Sequence, residues 1–273
     1  MSKYEIKESI DNYIYKTFNL WSGFRFNFSN DKKLSSENIN FKNIHRDERC
    51  YIVGTGPSLK NVDLKFLDDE IVFGVNYLYK SKKAKCLKPK YYFLYDENFY
   101  KNNVEDTMEA LSFYKDSIFF VRTNAHKDFK KKGIKDTKIY YQPCNFFQYN
   151  DFISIDMVRG MTAPYNVVLG CIQTAMYMGF KYIYLLGSDY NSFASLKVEH
   201  EYDDVNTLVK RHMTLGYEMK FYTMCTYHHY ALEKYAKKNQ IHIYNITDKS
   251  LLDAYERIDC SEHIKSILKK KKD

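Results

Sequence analysis

Apolar residues along this chain fall in short runs of four to six, each closed by a glycine or a polar residue. Runs of that length, rich in β-branched and aromatic side chains, suit strands that are covered on both faces. They predict strands at 50–53, 71–75, 91–95, 117–122, 138–142, 182–186 and 241–244. Between them, positions 104–114, 162–180, 227–238 and 261–270 carry apolar residues at helical spacing. The clearest is 162–180, where Val167, Cys171, Ala175 and Met178 share one face and Gly179 ends the pattern. Strands alternating with helices, without hairpin signals, predict an α/β fold with a mostly parallel sheet and helices on both faces.

The remaining stretches set the domain plan. Residues 1–44 read as an N-terminal arm: an amphipathic helix through Tyr15, then an irregular Asn/Ser-rich stretch, packed on the core. Residues 45–260 form the main α/β domain, and 261–273 a terminal helix with a basic tail. Residues 146–158 look loop-like and aromatic. Residues 193–216 are polar and charged with no strand pattern, which suits a small lid subdomain.

Chemistry is expected where the strands end, because open parallel sheets gather ligands at their carboxyl edge. The stretch CYIVGTGPS at 50–58 reads as strand, glycine turn and helix start. Gly54 and Gly56 permit a tight turn and a close backbone approach, while Pro57 and Ser58 suit a first helical turn. Such a turn points backbone N–H groups at an anion, usually a phosphate, although it lacks the third glycine of a dinucleotide fingerprint and the Gly-Lys-Ser/Thr of a P-loop. The other strands end at Asn76, Asp96, Arg122 and the Ser188–Asp189 pair, a polar set suited to a nucleotide's base and ribose. Thr162 is read as the cap of the long helix and as a second phosphate contact. His228 and His229 open the 227–238 segment, and a helix-start imidazole is held neutral by the dipole, as a general base requires. His200 and His212 flank the lid and are the next candidates.

Composition narrows the classes. The 273 residues are 45% hydrophobic and allow one large α/β domain. The net charge is +8, with lysine dominant and four lysines at 269–272. That balance reads as a solvated lysine-rich surface, or else as attraction to an anionic membrane or acidic substrate. Scarce arginine and the lack of a recognition module argue against nucleic acid. Six scattered cysteines without a CxxC pair suggest reduced thiols and a cytoplasmic setting, with peripheral inner-membrane contact through the basic surface left open, as is a homo-oligomer. No run is apolar enough to span a membrane, and no signal peptide opens the chain. The absence of HExxH, CxxC and Asp-x-Asp favours a reaction without a metal or cofactor.

Several of these motifs stand in a familiar order. The stretch YIVGTGPSLK at 51–60 resembles the glycine loop of Campylobacter-type bacterial sialyltransferases, and equally that of the related MptE-like (DUF115) family. FGVN at 73–76, Tyr95–Asp96, Thr162, MGFKYIYLLGSD at 178–189, and ALE at 231–233 followed by IHIYN at 241–245 continue the resemblance over roughly 45–260. It implies a Rossmann-like fold and a nucleotide held by Gly54, Thr55, Gly56, Ser58, Asn76, Thr162 and Asp189. The sialyltransferases use a CMP-sialic acid donor, no metal, a histidine base and two tyrosine hydroxyls on the leaving phosphate. Here Tyr190 and Tyr202 are the nearest tyrosines, and Thr223 stands where the family's histidine lies, so His228 or His229 would serve after a local shift. Thr55 and Asp96 replace asparagines of the family pattern, and 241–245 followed by Thr247 is closer to the MptE-like pattern. The resemblance implies a CMP-sugar-dependent, inverting glycosyltransferase acting on a glycan or protein acceptor. The alternatives are an MptE-like diphosphokinase passing pyrophosphate from ATP to a pterin alcohol, with Mg²⁺ on Asp96 and Asp189, and a non-catalytic nucleotide-binding module.

Overall fold

The computed structural model describes residues 2–135, 137–194, 197–198, 209–210 and 214–270. The chain opens with helix α1 (Lys3–Phe26), started by a capping box in which Ser2 and Glu5 satisfy each other's backbone N–H. A short α2 (Asn30–Ser35) leads to β1 (Arg49–Val53), β2 (Val72–Val75) and β3 (Tyr91–Leu94). Then follow α3 (Asn98–Lys101), α4 (Val104–Phe113), β4 (Ile118–Arg122), α5 (Ala125–Lys131) and β5 (Ile139–Gln142). Three short strands, β6 (Cys144–Phe146), β7 (Ile155–Asp156) and β8 (Gly160–Thr162), precede α6 (Val167–Met178) and β9 (Tyr182–Leu186). A two-residue ribbon of β10 (Lys197–Val198) and β11 (Val209–Lys210) comes before α7 (Leu215–Lys238), β12 (His242–Asn245), β13 (Glu256–Arg257) and α8 (Cys260–Lys270).

Eight strands form one sheet in the order β13-β12-β9-β1-β2-β3-β4-β5. Every pairing in it is parallel. The alternation of side chains divides the interior in two. Cys50, Ile52, Phe73, Phe93, Ile183 and Leu185 face α6 and α7. Tyr51, Val53, Tyr92, Leu94, Val121 and Leu186 face α4, α5 and the 3₁₀ turns after β1. From β1 the chain steps to β2 on one side, and β9 later joins β1 on the other. The β1/β9 seam is therefore the topological switch point, where crossovers diverge and leave a crevice beyond the strand ends.

The strand expectations at 50–53 through 241–244 hold to within a residue or two, and the fold is the Rossmann-like α/β sheet expected. Four expectations need correction. The helix expected over 162–180 begins at Val167: Thr162 ends β8, and Pro164 disfavours helical backbone at the residue before it. The helix expected over 227–238 starts at Leu215, which puts His228 and His229 in its middle rather than at its positive end. Residues 146–158 are not all loop, since β6, β8 and β7 form a small sheet in that order. In the arm, α1 runs to Phe26, well beyond Tyr15, and packs by one face only. Asn19 and Ser22 bond the carbonyls of Phe147 and Asn145, while Tyr13, Leu20 and Phe24 face solvent.

The lid expectation falls mainly on 195–196, 199–208 and 211–213, outside the described residues, as do Tyr202, His200 and His212. Its described part is not free of strand, because β10 and β11 pair antiparallel. The six cysteines carry free thiols, with Cys50, Cys171 and Cys225 buried. No helix among the described residues is long and apolar enough to cross a membrane.

Candidate active site

At the switch point the β1 and β9 turns are laced together. Gly54 N–H donates to Leu186 O at 2.8 Å and Gly56 N–H to Gly187 O at 2.9 Å. A Cβ at Gly54 would stand 2.5 Å from Gly187 O, so only glycine lets these backbones approach. Gly187 itself has φ +68, the left-handed region, with Leu59 packed 2.7 Å from where a Cβ would lie. Asp189 completes the clasp: its Oδ1 accepts from Ser58 N–H at 3.0 Å and its Oδ2 from Ser58 Oγ at 2.8 Å. Burial pushes the Asp189 carboxyl above its ordinary range, partly offset by those two bonds. Behind it, Ser188 N–H donates to Thr247 Oγ1, and Ser250 Oγ to Ser188 O, so the β12 turn fixes the β9 turn.

A cleft of about 220 Å³ opens here, lined by Gly54 to Pro57, Ser188, Asp189, Tyr190, the start of α6 and the Tyr222–Cys225 face of α7. Asn166 caps α6, accepting from Leu169 N–H at 3.0 Å, so a helix start with free N–H groups faces the cleft. Tyr190 holds a left-handed backbone at φ +58 and stacks edge-on against Tyr222, while Tyr222 OH hydrogen-bonds to Ser192 Oγ. Roomier depressions lie elsewhere, among them one of about 600 Å³ beside Lys42 and Tyr177 and one of about 840 Å³ between α1 and α7. Neither sits at the carboxyl ends of the strands, so position, not volume, selects the smaller cleft.

The structure thus brings together Gly54, Thr55, Gly56, Pro57, Ser188, Asp189 and Tyr190, with Ser58 tied in through Asp189. Asn76 and Asp96 sit at the next strand ends and are coupled: Asn76, at φ +42, accepts from Tyr95 N–H and Asp96 N–H through its Oδ1. Asp96 Oδ1 accepts from Asn98 N–H. Arg122 is not aimed at the cleft; it donates to Pro164 O and lies over the Tyr95 ring. Thr162 is fully buried in the small sheet, where its Oγ1 accepts from Ser154 N–H, so it neither caps α6 nor reaches the cleft. Asn166 does both, and was missed. An asparagine two residues after Pro164 and just before the apolar run is the signal that finds it.

His228 and His229 are wholly buried and do not line the cleft. Gln173 Nε2 donates to His228 Nε2 at 3.2 Å, and His229 Nδ1 shares a hydrogen bond with Tyr255 OH at 2.8 Å. Burial pushes His228 down to about 3 and His229 well below its usual value. Both imidazoles are neutral packing groups between α6, α7 and Tyr255, and the helix-start argument for a base fails with the helix boundary. Among the described residues no three His, Cys, Asp or Glu side chains cluster to hold a metal.

An open parallel sheet with a glycine turn and a helix start facing each other across its switch point defines a Rossmann-like α/β protein, with its crevice where such folds gather ligands. The chain belongs to the 6-hydroxymethylpterin diphosphokinase MptE-like family, whose model matches residues 24–192. Among solved structures it is similar to the sialyltransferase CstII from Campylobacter jejuni in complex with cytidine-5'-monophosphate, at 22% identity and a TM-score of 0.48 over 78% of this chain and 85% of that one. A second CstII structure, with CMP-3FNeuAc, matches at 20% identity and TM-score 0.47 over 77% and 86%. It is also similar to the MAf glycosyltransferase from Magnetospirillum magneticum AMB-1, at 13% identity and TM-score 0.49, covering 88% of this chain and 41% of that one. No curated protein sequence matches it.

Proposed function

We propose that this protein is an inverting glycosyltransferase that moves a sialic-acid-like sugar from a CMP-activated donor to a glycan or protein acceptor, without a metal. The observation that carries the reading is the opposition, across the β1/β9 switch point, of the glycine loop and the Asn166-capped start of α6. A departing CMP leaves with the electron pair of the broken sugar–phosphate bond. The Asn166-capped start of α6 can stabilise that charge where a divalent ion would otherwise be needed. The N–H groups of Gly54, Gly56 and Ser58 are held by β9 and the turn after it and shape the cleft instead. Tyr190 at the cleft wall is the hydroxyl nearest to this role among the residues singled out. The cleft's 220 Å³ holds the phosphate and part of a sugar, so the nucleoside extends over Asn76 and Asp96. The acceptor oxygen bonds to the anomeric carbon and gives up its proton to a base. His228 and His229 being closed off, the base is assigned to His200 or His212.

The family match favours a second reading, transfer of pyrophosphate from ATP to a pterin alcohol. That chemistry ordinarily uses Mg²⁺ on carboxylates. Asp189 is the cleft's carboxylate, and both its oxygens already hold Ser58, which weighs against it. Melting curves with CMP, CTP and ATP, each with and without Mg²⁺, separate the two. A ligand at 100 times its Kd stabilises by about 2.7 kcal/mol. A rise with CMP in chelator, and release of CMP from a CMP-sugar, are expected. A response to ATP with Mg²⁺ alone would replace the first reading by the second.

A further inference from the structure

The depression of about 840 Å³ between α1 and α7 adjoins the candidate cleft. On α7, Tyr222 and Cys225 line the cleft, while Met224 and Tyr227 line the depression. Just before α6, Asn166 belongs to the cleft and Tyr165 to the depression, and the Tyr165 and Phe221 rings meet edge-on at 6.4 Å as a sill between the two. From Met224 to Lys237 the depression is a groove that follows α7 for roughly 20 Å. Its opposite wall is the inner face of α1, from Glu8 to Tyr15, pinned where Asn12 Nδ2 donates to Asn150 Oδ1 at 2.6 Å. The family model begins at residue 24, so this wall lies outside the part it matches. Among the described residues five tyrosines line the groove: Tyr15, Tyr149, Tyr165, Tyr227 and Tyr230. Tyr15 packs on Phe147 and Tyr149 stacks on Phe152, each at 4.9 Å, so these rings are placed before any ligand arrives. With them stand the carboxylates of Glu8, Asp11, Asp151 and Glu233, against only Lys234 and Lys237, a net charge of −2 for the lining. Lys7 pairs with Asp11 from outside it.

We propose that this groove seats the acceptor and that the acceptor is a neutral oligosaccharide, an inference that rests on the reading of the cleft as the place of sugar transfer. Three observations select that occupant. Position is the first: a chain lying along α7 passes over the Tyr165–Phe221 sill and brings its end to the cleft. Chemistry is the second. A sugar ring offers C–H groups on its faces and hydroxyls at its edge; the C–H groups suit the negative face of an aromatic ring, and each hydroxyl can donate to an ionised carboxylate, which only accepts. Tyrosines interleaved with carboxylates and amides present both partners along the whole groove. Charge is the third, since a lining of net −2 opposes an anionic glycan or a nucleotide. A peptide acceptor would use an open strand edge or an apolar groove, whereas this groove runs between two helices with carboxylates on both walls. Its size lies within the ~300–1,000 Å³ of small-molecule sites, and its length suits more than one sugar unit.

Saturation-transfer NMR on the full chain tests this with lactose, maltohexaose and chitotetraose as neutral probes, a hyaluronan hexasaccharide as the anionic one, and a proline- and arginine-rich peptide. A neutral oligosaccharide should bind at millimolar concentration and the hyaluronan fragment should not. Tyr227→Ala, at a ring 57% exposed, should weaken that binding about 10-fold with the melting temperature nearly unchanged. Glu8→Lys with Asp11→Lys turns the lining from net −2 to net +2 and should admit the hyaluronan fragment. Release of CMP from a CMP-sugar by the unaltered protein, without acceptor, reports on the cleft alone. With that release present, three results would each overturn the inference and leave the reading of the cleft standing: no neutral probe bound, neutral and anionic probes bound alike, or binding indifferent to Tyr227→Ala. The peptide binding in place of the oligosaccharides would overturn it too. A neutral oligosaccharide held in the groove without CMP release would keep the groove as a glycan site and sink the reading of the cleft instead.

Discussion

The clasp between the β1 and β9 turns can be tested by adding one methyl group. In Gly56→Ala the new Cβ would fall 1.9 Å from Asp189 Oδ2, 2.7 Å from its Cγ and 2.7 Å from Gly187 O. The backbone of Gly56 is not itself strained, with φ −67 and ψ 152, so the whole effect comes from the neighbours. Asp189 must swing away and release Ser58 N–H and Ser58 Oγ. Hydrogen bonds to a charged group contribute about 1.5–3 kcal/mol each, which puts the loss at about 3–6 kcal/mol. The lower end is expected, because Ser58 is partly exposed and can turn to water. Three kcal/mol corresponds to a melting point roughly 6–12 °C lower in a domain of this size. The assay is urea and thermal unfolding of four proteins: wild type, Gly56→Ala, Asp189→Ala and the double variant. With the carboxylate gone, the added methyl meets only Gly187 O, so Gly56→Ala should cost about 1 kcal/mol in that background, a coupling of at least about 2 kcal/mol. Equal costs in both backgrounds, or a Gly56→Ala protein within ~0.5 kcal/mol of wild type, would refute the reasoning. The glycine also changes meaning: from sequence it is expected to clear space for a ligand, whereas here it clears space for Asp189.

Three further outcomes follow from the site. His228 and His229 have folded pKa values below the ordinary 6.5, so the unfolded chain binds more protons between those values, and stability falls as pH drops below about 6.5, by about 1.4 kcal/mol per pH unit for each group. Melting curves from pH 7 to 5 should show this, with a shallower slope in His228→Gln; a slope unchanged by that substitution would exclude His228 as a source. His229→Ala should lower stability by about 2–4 kcal/mol through a buried cavity and the lost Tyr255 bond, while His200→Ala or His212→Ala lowers turnover about 10²–10⁴-fold in a folded protein; full turnover in both would move the base elsewhere. Asn166→Ala should weaken nucleotide binding and destabilise α6 by about 1 kcal/mol, and titration calorimetry showing unchanged affinity would separate the helix start from the ligand.

Much of the architecture was legible because the central strands are largely buried on both sides and read as unbroken apolar runs, as at Cys50 to Val53 and Tyr182 to Leu186. The site half contributed by strand ends was legible for the same reason: once the strands are placed, Gly54 to Ser58 and Ser188–Asp189 stand at one edge. What was lost lies at helix starts. Thr162 and Asn166 are both good caps, and only the placement of Pro164 between them tells which one can precede helix. The first turns of α7 carry tyrosine, methionine and lysine without a strong apolar stripe, so its true start at Leu215 was hidden, and a helix begun twelve residues late made buried histidines look like a base. The three strands β6, β7 and β8 have two or three residues each, too few for alternation to register.

The neighbour relation of β1 and β9 also bears on how the chain is made. β1 ends at Val53 and its partner ends at Leu186, so at ribosomal speeds of about 5–20 residues per second the second strand emerges about 7–27 s after the first. Until then a nascent sheet of β1 to β5 would present β1 as its outer strand, with Tyr51, Ile52 and Val53 apolar on both faces and a full row of open N–H and C=O groups on the free edge. Such an edge is a template for pairing with another chain. The same seam that supplies the cleft is thus the one that stays open longest during synthesis, before β12 and β13 extend the sheet beyond β9, and the stretch where a newly made chain is most exposed to misassembly.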